Sequence, residues 1–512
     1  MQELYLPRNK LSGAISPSIA NLINLKILNL CDNELTGAIT QDIRRLSSLE
    51  HLHLHMNRLN GTLPTSITNC TSLITLSLRL NSLQGELSSY DFSRLVHLKS
   101  VDLGNNLFRG ALPESLFSCQ KLTAIRLASN HLTGQILSSL VSLPSLSFLS
   151  LSHNSLTNIT VAFTILRDCK NLTTLTLSMN FKGETLPSEG DVSLVGLDNL
   201  RVLALGACGF SGSFPLWLSK LPNLEVIDLS FNFLTGTIPG WVGSFQELFY
   251  LDLSNNKLSG NFPIELTTMQ GLAFQQSSHQ IDSSYLELPV FVTPDNVSNH
   301  QYKMYNHLTS LPTTLYLGNN SLNGAIPNAI GQLKFIIALD LSDNHFSGEI
   351  PGAMSNLTNL ERLDLSRNHF SGQIPSSLQN LHFLSFFSVA DNNLEGPISV
   401  AAPTSDSPQA KGTGKRKVIV LVLAICSSIF TISLLIYCFL DKRWRGMDPK
   451  QGLDQTPQHR IHRGKRDRKP SHTLPRRRQQ QQPDRTLCPC QRSWKPQRAS
   501  ASSTSSVQEA LD

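Results

Sequence analysis

The 512 residues carry 43 Lys+Arg against 37 Asp+Glu, a formal net charge of +6, with 40% hydrophobic side chains. The average hides a split: residues 1–410 hold 22 basic and 30 acidic side chains, while residues 441–512 hold 17 and 7. A single uniformly basic surface is thereby excluded, and two different environments are expected.

Internal repetition dominates residues 1–398. On the motif L-x-L-x-x-N-x-L-x-G, the Asn slot falls at Asn9, Asn33, Asn57, Asn81, Asn106, Asn130, Asn154 and Asn180. It continues at Cys208, Asn232, Asn256, Asn320, Asn344, Asn368 and Asn392, which makes fifteen repeats. Most intervals are 24 residues; the exceptions are 25, 26, 28 and a jump of 64 between Asn256 and Asn320. That jump is one ordinary repeat plus an insertion of 40 residues.

One repeat, LERLDLSRNHFSGQIPSSLQN, shows why the motif folds. Leu363 and Leu365 alternate on a short strand and point inward, with Arg362 and Asp364 outward. Asn368 turns inward, where its amide can bond the backbone of the turn. Phe370 and Ile374 extend the core, Gly372 permits the tight turn and Pro375 stiffens the return. A lone repeat cannot bury this face. Stacked, each inward Leu or Ile gains about 1.5–3 kcal/mol against the cost of ordering the coil. Strands about 4.8 Å apart predict an α/β solenoid, a horseshoe whose concave face is a parallel sheet roughly 70 Å long.

Several apparent chemical motifs are absorbed by this periodicity. Asp228, Asp252, Asp340 and Asp364 look like paired glycosidase carboxylates but fill the routine L-D-L-S slot. His51, His53 and His55 alternate on the solvent side of one strand, without an evident fourth ligand, so no metal is expected. Arg79, Arg126 and Arg201 also face outward and are read as solvated. Cys31, Cys70, Cys119, Cys169 and Cys208 are single and far apart; Cys70, Cys119 and Cys169 share one repeat slot and are expected as buried small hydrophobes. No catalytic residue and no cofactor is expected.

The spacing and the L-x-G-x-I-P wording, as in NHFSGQIP and FNFLTGTIP, resemble plant-type leucine-rich repeats. Segments such as LALGACGFSGSFPLWLSKLPNLEVIDLS, YLELPVFVTPDNVSNHQYKMYNHLTSLP and LYLGNNSLNGAIPNAIGQLKFI resemble tyrosine-sulfated glycopeptide receptors and their phytosulfokine-receptor relatives. The insertion, residues 272–312, matches the island of that group in position and wording. The resemblance implies an island on the concave face that helps to bind a short sulfated peptide. It further implies signalling through a co-receptor kinase with its own leucine-rich-repeat ectodomain. Read for itself, the insertion holds Phe274, Tyr285, Phe291, Tyr302 and Tyr305, strand-like runs around YLELPVFV, and a polar turn at Pro294-Asp295-Asn296. Tyr285, Glu287, Phe291, Tyr302, Lys303 and Tyr305 are the candidate ligand-binding residues.

Past the array, 399–417 is a Pro/Ser/Gly linker and 418–440 is an uncharged run of 23 residues flanked by Lys415–Lys417 and Lys442–Arg443. At about 1.5 Å per residue it reaches about 35 Å, enough for one membrane-spanning helix. Sequons at Asn60, Asn69, Asn158, Asn171, Asn296, Asn319 and Asn356 all precede this run, which places the repeats outside the cell, at the plasma membrane. Residues 441–512, rich in Arg, Gln, Pro and Ser, are expected as a disordered cytoplasmic tail able to touch anionic lipid, with no specific nucleic-acid partner. It has no room for a kinase and no H-R-D or D-F-G. The opening MQELYLPRNKLSG lacks the apolar stretch of a signal peptide, and neither end of the array carries a cysteine-paired cap. The sequence is therefore expected to be a receptor-like protein, with a truncated receptor kinase or a non-signalling decoy as alternatives.

Overall fold

The computed structural model describes residues 1–188, 190, 196–274, 285–291, 302–307 and 311–397. The expected linker 399–417, membrane span 418–440 and tail 441–512 lie outside the described residues. Among the described residues, no helix is long and apolar enough to cross a membrane.

The repeat alternation becomes strand alternation. Fifteen three-residue strands, from Glu3–Tyr5 to Phe386–Ser388, pair in parallel and in chain order among the described residues. Inward positions such as Leu339, Leu363 and Leu365 are 0% exposed and join one continuous apolar core. Tyr250–Asp252 pairs directly with Thr314–Tyr316, so the insertion leaves the sheet unbroken. Opposite this sheet run short 3-10 helices, most entered through a proline, as Pro375 enters Ser376–Asn380. An outer set of strands forms two seven-stranded parallel sheets, one ending at Ser155–Leu156 and the other beginning at Ser211–Ser213.

The Asn slot is the hydrogen-bonding spine. Asn344 donates through Nδ2 to the carbonyls of Leu317, Leu341 and Ser342 at 3.0, 3.3 and 2.9 Å, and its Oδ1 accepts from the Leu322 N–H at 2.9 Å. One side chain thus satisfies four buried backbone groups in two successive coils. The residue before each Asn sits in the left-handed region, even where it is bulky, as with Leu80 (φ 54) and Phe231 (φ 53). Such a residue costs about 1 kcal/mol, and the ladder bonds around it offset the strain.

The outward slots differ from the expectation. Asp228 and Asp252 are each 2% exposed and Asp364 9%, so these side chains face the concavity yet are buried. Neighbouring strands lie close enough for each slot to be shielded by the residues in register with it. Val202, Val226, Phe249, Tyr250 and Phe148 form a second buried apolar cluster on the same face. Among the described residues, the first and last strands of the sheet pair on one side only. Phe387 occupies a core slot but is 39% exposed, and Tyr5 is 53% exposed.

Candidate functional site

The six candidate residues of the insertion share one element. Tyr285–Phe291 and Tyr302–His307 pair as an antiparallel two-stranded sheet, separate from the repeat sheets. Phe291 stands opposite Tyr302, Val290 opposite Lys303 and Leu288 opposite Tyr305, with an irregularity between Tyr285 and Leu288. The strand around YLELPVF was legible in its β-rich wording. The partner strand was not assigned, although Tyr302-Lys303-Met304-Tyr305, with Tyr302 and Met304 alternating about Lys303 and two β-favouring tyrosines, carries a signal that could have found it. The turn at Pro294-Asp295-Asn296 lies outside the described residues.

The chain leaves the array after the short helix Gln270–Ala273 and re-enters at Leu311. Beside that exit is an open groove of about 500 Å³, lined by Phe274, Phe335, Ile337 and Phe383, with Asn359 and Glu361.

The concave carboxylates are structural. Asp228 Oδ1 accepts both the N–H and the hydroxyl of Ser230, at 2.9 and 2.6 Å. Asp252 does the same with Ser254, Asp340 with Ser342 and Asp364 with Ser366. This turn explains the L-D-L-S wording, because Asp two residues before Ser closes the end of each strand. Asp228 stands in register with Asp252, and Tyr316 separates this pair from Asp340 and Asp364. Burial pushes Asp228 up to about 6. Burial, and then the adjacent Asp228, push Asp252 up to about 8.

His51, His53 and His55 lie on the concave side but are half-buried rather than solvated. Burial lowers His53 and brings His55 down to about 4, with the Arg79 charge as the next cause. His55 Nδ1 lies 3.0 Å from Ser77 Oγ. Among the described residues, no group of three or more His, Cys, Asp or Glu could hold a metal ion. Arg201 is not solvated as expected, because its guanidinium forms a two-point pair with Glu225. Arg126 stacks over Phe148, its Cζ 4.2 Å from the ring centre. The five cysteines among the described residues are free. Cys70 and Cys119 donate to the Ile43 and Phe92 carbonyls one repeat earlier, both at 3.3 Å, which is the buried role expected of that slot.

The sequons occupy different settings. Asn60, Asn171, Asn319 and Asn356 are exposed. Asn69 accepts from Arg94, while Asn158 caps the helix Ile159–Leu166 by accepting from the Val161 N–H at 3.1 Å. Asn296 lies outside the described residues. Asn158→Ala is expected to cost about 1 kcal/mol in urea unfolding through the lost cap. Asn60→Gln, at an exposed strand position, is expected to change stability by less than about 0.5 kcal/mol. Equal losses in both variants would remove the distinction.

A leucine-rich-repeat family model matches residues 1–59, 96–156 and 198–258, and a second Leucine Rich Repeat model matches 312–333, 336–357 and 359–381. Receptor-like protein 3 of Arabidopsis thaliana is 51% identical over 203 residues, 40% of this chain and 27% of that protein. Phytosulfokine receptor 1 of Arabidopsis thaliana is 52% identical over 75 residues, 15% of this chain and 7% of that protein. The matched stretches thus span well under two thirds of either relative. Among solved structures, the Arabidopsis receptor kinase HAESA, in complex with the peptide hormone IDA and the co-receptor SERK1, superposes with a TM-score of 0.53 at 28% identity. That likeness covers 78% of this chain and 71% of the HAESA chain. With the fold, these matches show that the array is built of leucine-rich repeats and that it is similar to plant receptor-like proteins over the matched stretches.

Proposed function

We propose that the repeats are the extracellular part of a single-pass plasma-membrane receptor-like protein, anchored by 418–440, that binds a short secreted peptide. The observation that carries this reading is an unbroken fifteen-stranded sheet interrupted in sequence by a β-hairpin-bearing insertion. A rigid array holding an irregular, aromatic-rich segment is a common form of binding surface. The hairpin strands Tyr285–Phe291 and Tyr302–His307 offer backbone to an extended peptide by strand addition, and Tyr285, Glu287, Phe291, Tyr302, Lys303 and Tyr305 supply its contacts. The likeness to a phytosulfokine receptor supports a sulfated peptide as the ligand class. The HAESA complex supports a leucine-rich-repeat co-receptor kinase as the signalling partner. The exposed Asn60 and Asn356 suit N-glycans, and the basic tail 441–512 suits the anionic inner leaflet. Catalysis is not assigned to the array, because its concave carboxylates are committed to closing strand ends.

Titration of the full-length chain with tyrosine-sulfated and unsulfated forms of one short peptide tests the ligand class. Sulfation is expected to tighten binding at least about tenfold, or about 1.4 kcal/mol. Equal, negligible binding of both forms would remove the sulfated-peptide reading.

A further inference from the structure

Four departures from the repeat coincide at one place. The intervals Asn154–Asn180 and Asn180–Cys208 are 26 and 28 residues rather than 24. The 3-10 turn is replaced by the α-helix Ile159–Leu166. The outer sheet stops at Ser155–Leu156 and resumes at Ser211–Ser213. Between them the coil is held by the isolated pair Thr185–Ser211 and by single backbone bonds such as Phe181 N–H to the Leu156 carbonyl and Gly183 N–H to the Cys208 carbonyl, not by a paired strand. The Asn spine lapses at Cys208, whose thiol reaches the Leu177 and Gly206 carbonyls at 3.6 Å. A thiol is a weak donor and a poor acceptor, so it cannot serve four backbone groups as Asn344 does.

Backbone bonds still cross this seam, as from Leu177 N–H to the Ala204 carbonyl and from Met179 N–H to the Gly206 carbonyl, and with the spine amide gone they are supplemented by contacts of another kind. The inner strands stay paired, Leu175 opposite Leu203. Aromatic contacts fill the interior, with Phe181 stacked on Phe210 at 6.3 Å and Phe163 edge-on to Trp217 at 5.0 Å. Trp217 Nε1 donates to the Pro187 carbonyl at 3.0 Å. Apolar contacts are largely non-directional and tolerate small displacements, whereas ladder hydrogen bonds do not. On the helix side, the Glu184 carboxylate accepts the N–H groups of Asn158 and Ile159, both at 2.7 Å, and so ties the seam's last coil to the repeats before it.

In a repeat array, stability is nearly a sum of repeat terms and nearest-neighbour terms, so cooperativity breaks where a neighbour term is weakest. We propose that the seam at Cys208 divides the array into two cooperative blocks hinged on the inner sheet. The block after the seam carries the insertion and can open without unfolding the block before it. This holds whatever the ligand is, and a failed peptide titration leaves it standing.

Native-state hydrogen exchange of the full-length chain across a urea series tests it. Amides on the two sides, in the inner strands of residues 27–150 and of residues 226–364, are expected to enter exchange at separate denaturant concentrations, with rates differing about tenfold in between. Cys208→Asn, which restores the spine residue, is expected to merge the two transitions. Asn232→Cys, which adds a second lapse one repeat onward, is expected to leave the transition of residues 27–150 in place and to lower that of residues 226–364, and it keeps the proposal testable should Cys208→Asn fold poorly. A single transition in the unmodified chain would overturn the proposal, as would two transitions unmoved by either substitution.

Discussion

Asn344→Ala is expected to cost about 3–5 kcal/mol of unfolding free energy, although the side chain is small and touches no candidate ligand residue. Alanine strands the N–H of Leu322 and takes one of two donors from each of the carbonyls of Leu317, Leu341 and Ser342, which keep Asn320, Asn368 and the Asn319 N–H. The N–H left without a partner costs about 1–3 kcal/mol and each lost carbonyl bond about 0.5–1.5 kcal/mol, and partial relaxation recovers some of that sum. Urea unfolding of the purified chain measures it. A loss below about 1 kcal/mol would mean that the coils satisfy their own backbone and that the spine is decorative.

The second large effect is a pH dependence of opposite sign to that of ordinary carboxylates. Asp228 and Asp252 hold their protons more tightly folded than unfolded, because burial disfavours the charge and the two sit in register on adjacent strands. Between the unfolded value near 3.8 and the folded values of about 6 and about 8, the folded chain binds more protons, so stability falls as pH rises. The slope is about 1.4 kcal/mol per pH unit for each proton so retained.

His53 and His55 pull the other way. Their folded values lie below the ordinary 6.5, so their contribution is lost as pH falls from 6.5 toward the His55 value of about 4. Between pH 6.5 and 8 the carboxylates dominate; the buried thiols Cys70, Cys119, Cys169 and Cys208, raised from 9.0 to about 11 or 12, act in the same direction chiefly above that window. Thermal unfolding is expected to drop across that window in the unmodified chain and to drop markedly less in Asp252→Asn, whose amide oxygen can still accept from Ser254 while Asp228 and the raised Asp340 remain. A drop of equal size in the variant would place its source elsewhere.

The insertion marks how far periodicity reaches. The jump from Asn256 to Asn320 located it, and the β-rich wording found its first strand. That Tyr302–His307 would pair with that strand, and that Tyr250–Asp252 and Thr314–Tyr316 would still meet across it, depends on which segments come together in space. The Arg201–Glu225 pair is of the same kind: two residues 24 apart, neighbours only because one coil lies on the next.

By itself the sequence determined the number of coils, their inward Leu set, the Asn spine and the place of the insertion. Each of these is a local pattern of apolar and polar residues along the chain, and an alternation of two residues or a period of 24 needs no knowledge of neighbours to be read. Only the tertiary structure decided that the outward Asp column is buried, that Arg201 is paired and that the outer sheet breaks between Leu156 and Ser211. Burial of an outward side chain is set by what stands in register on the adjoining strands. A break in an outer sheet is set by how two coils stack, and neither is written in any one repeat.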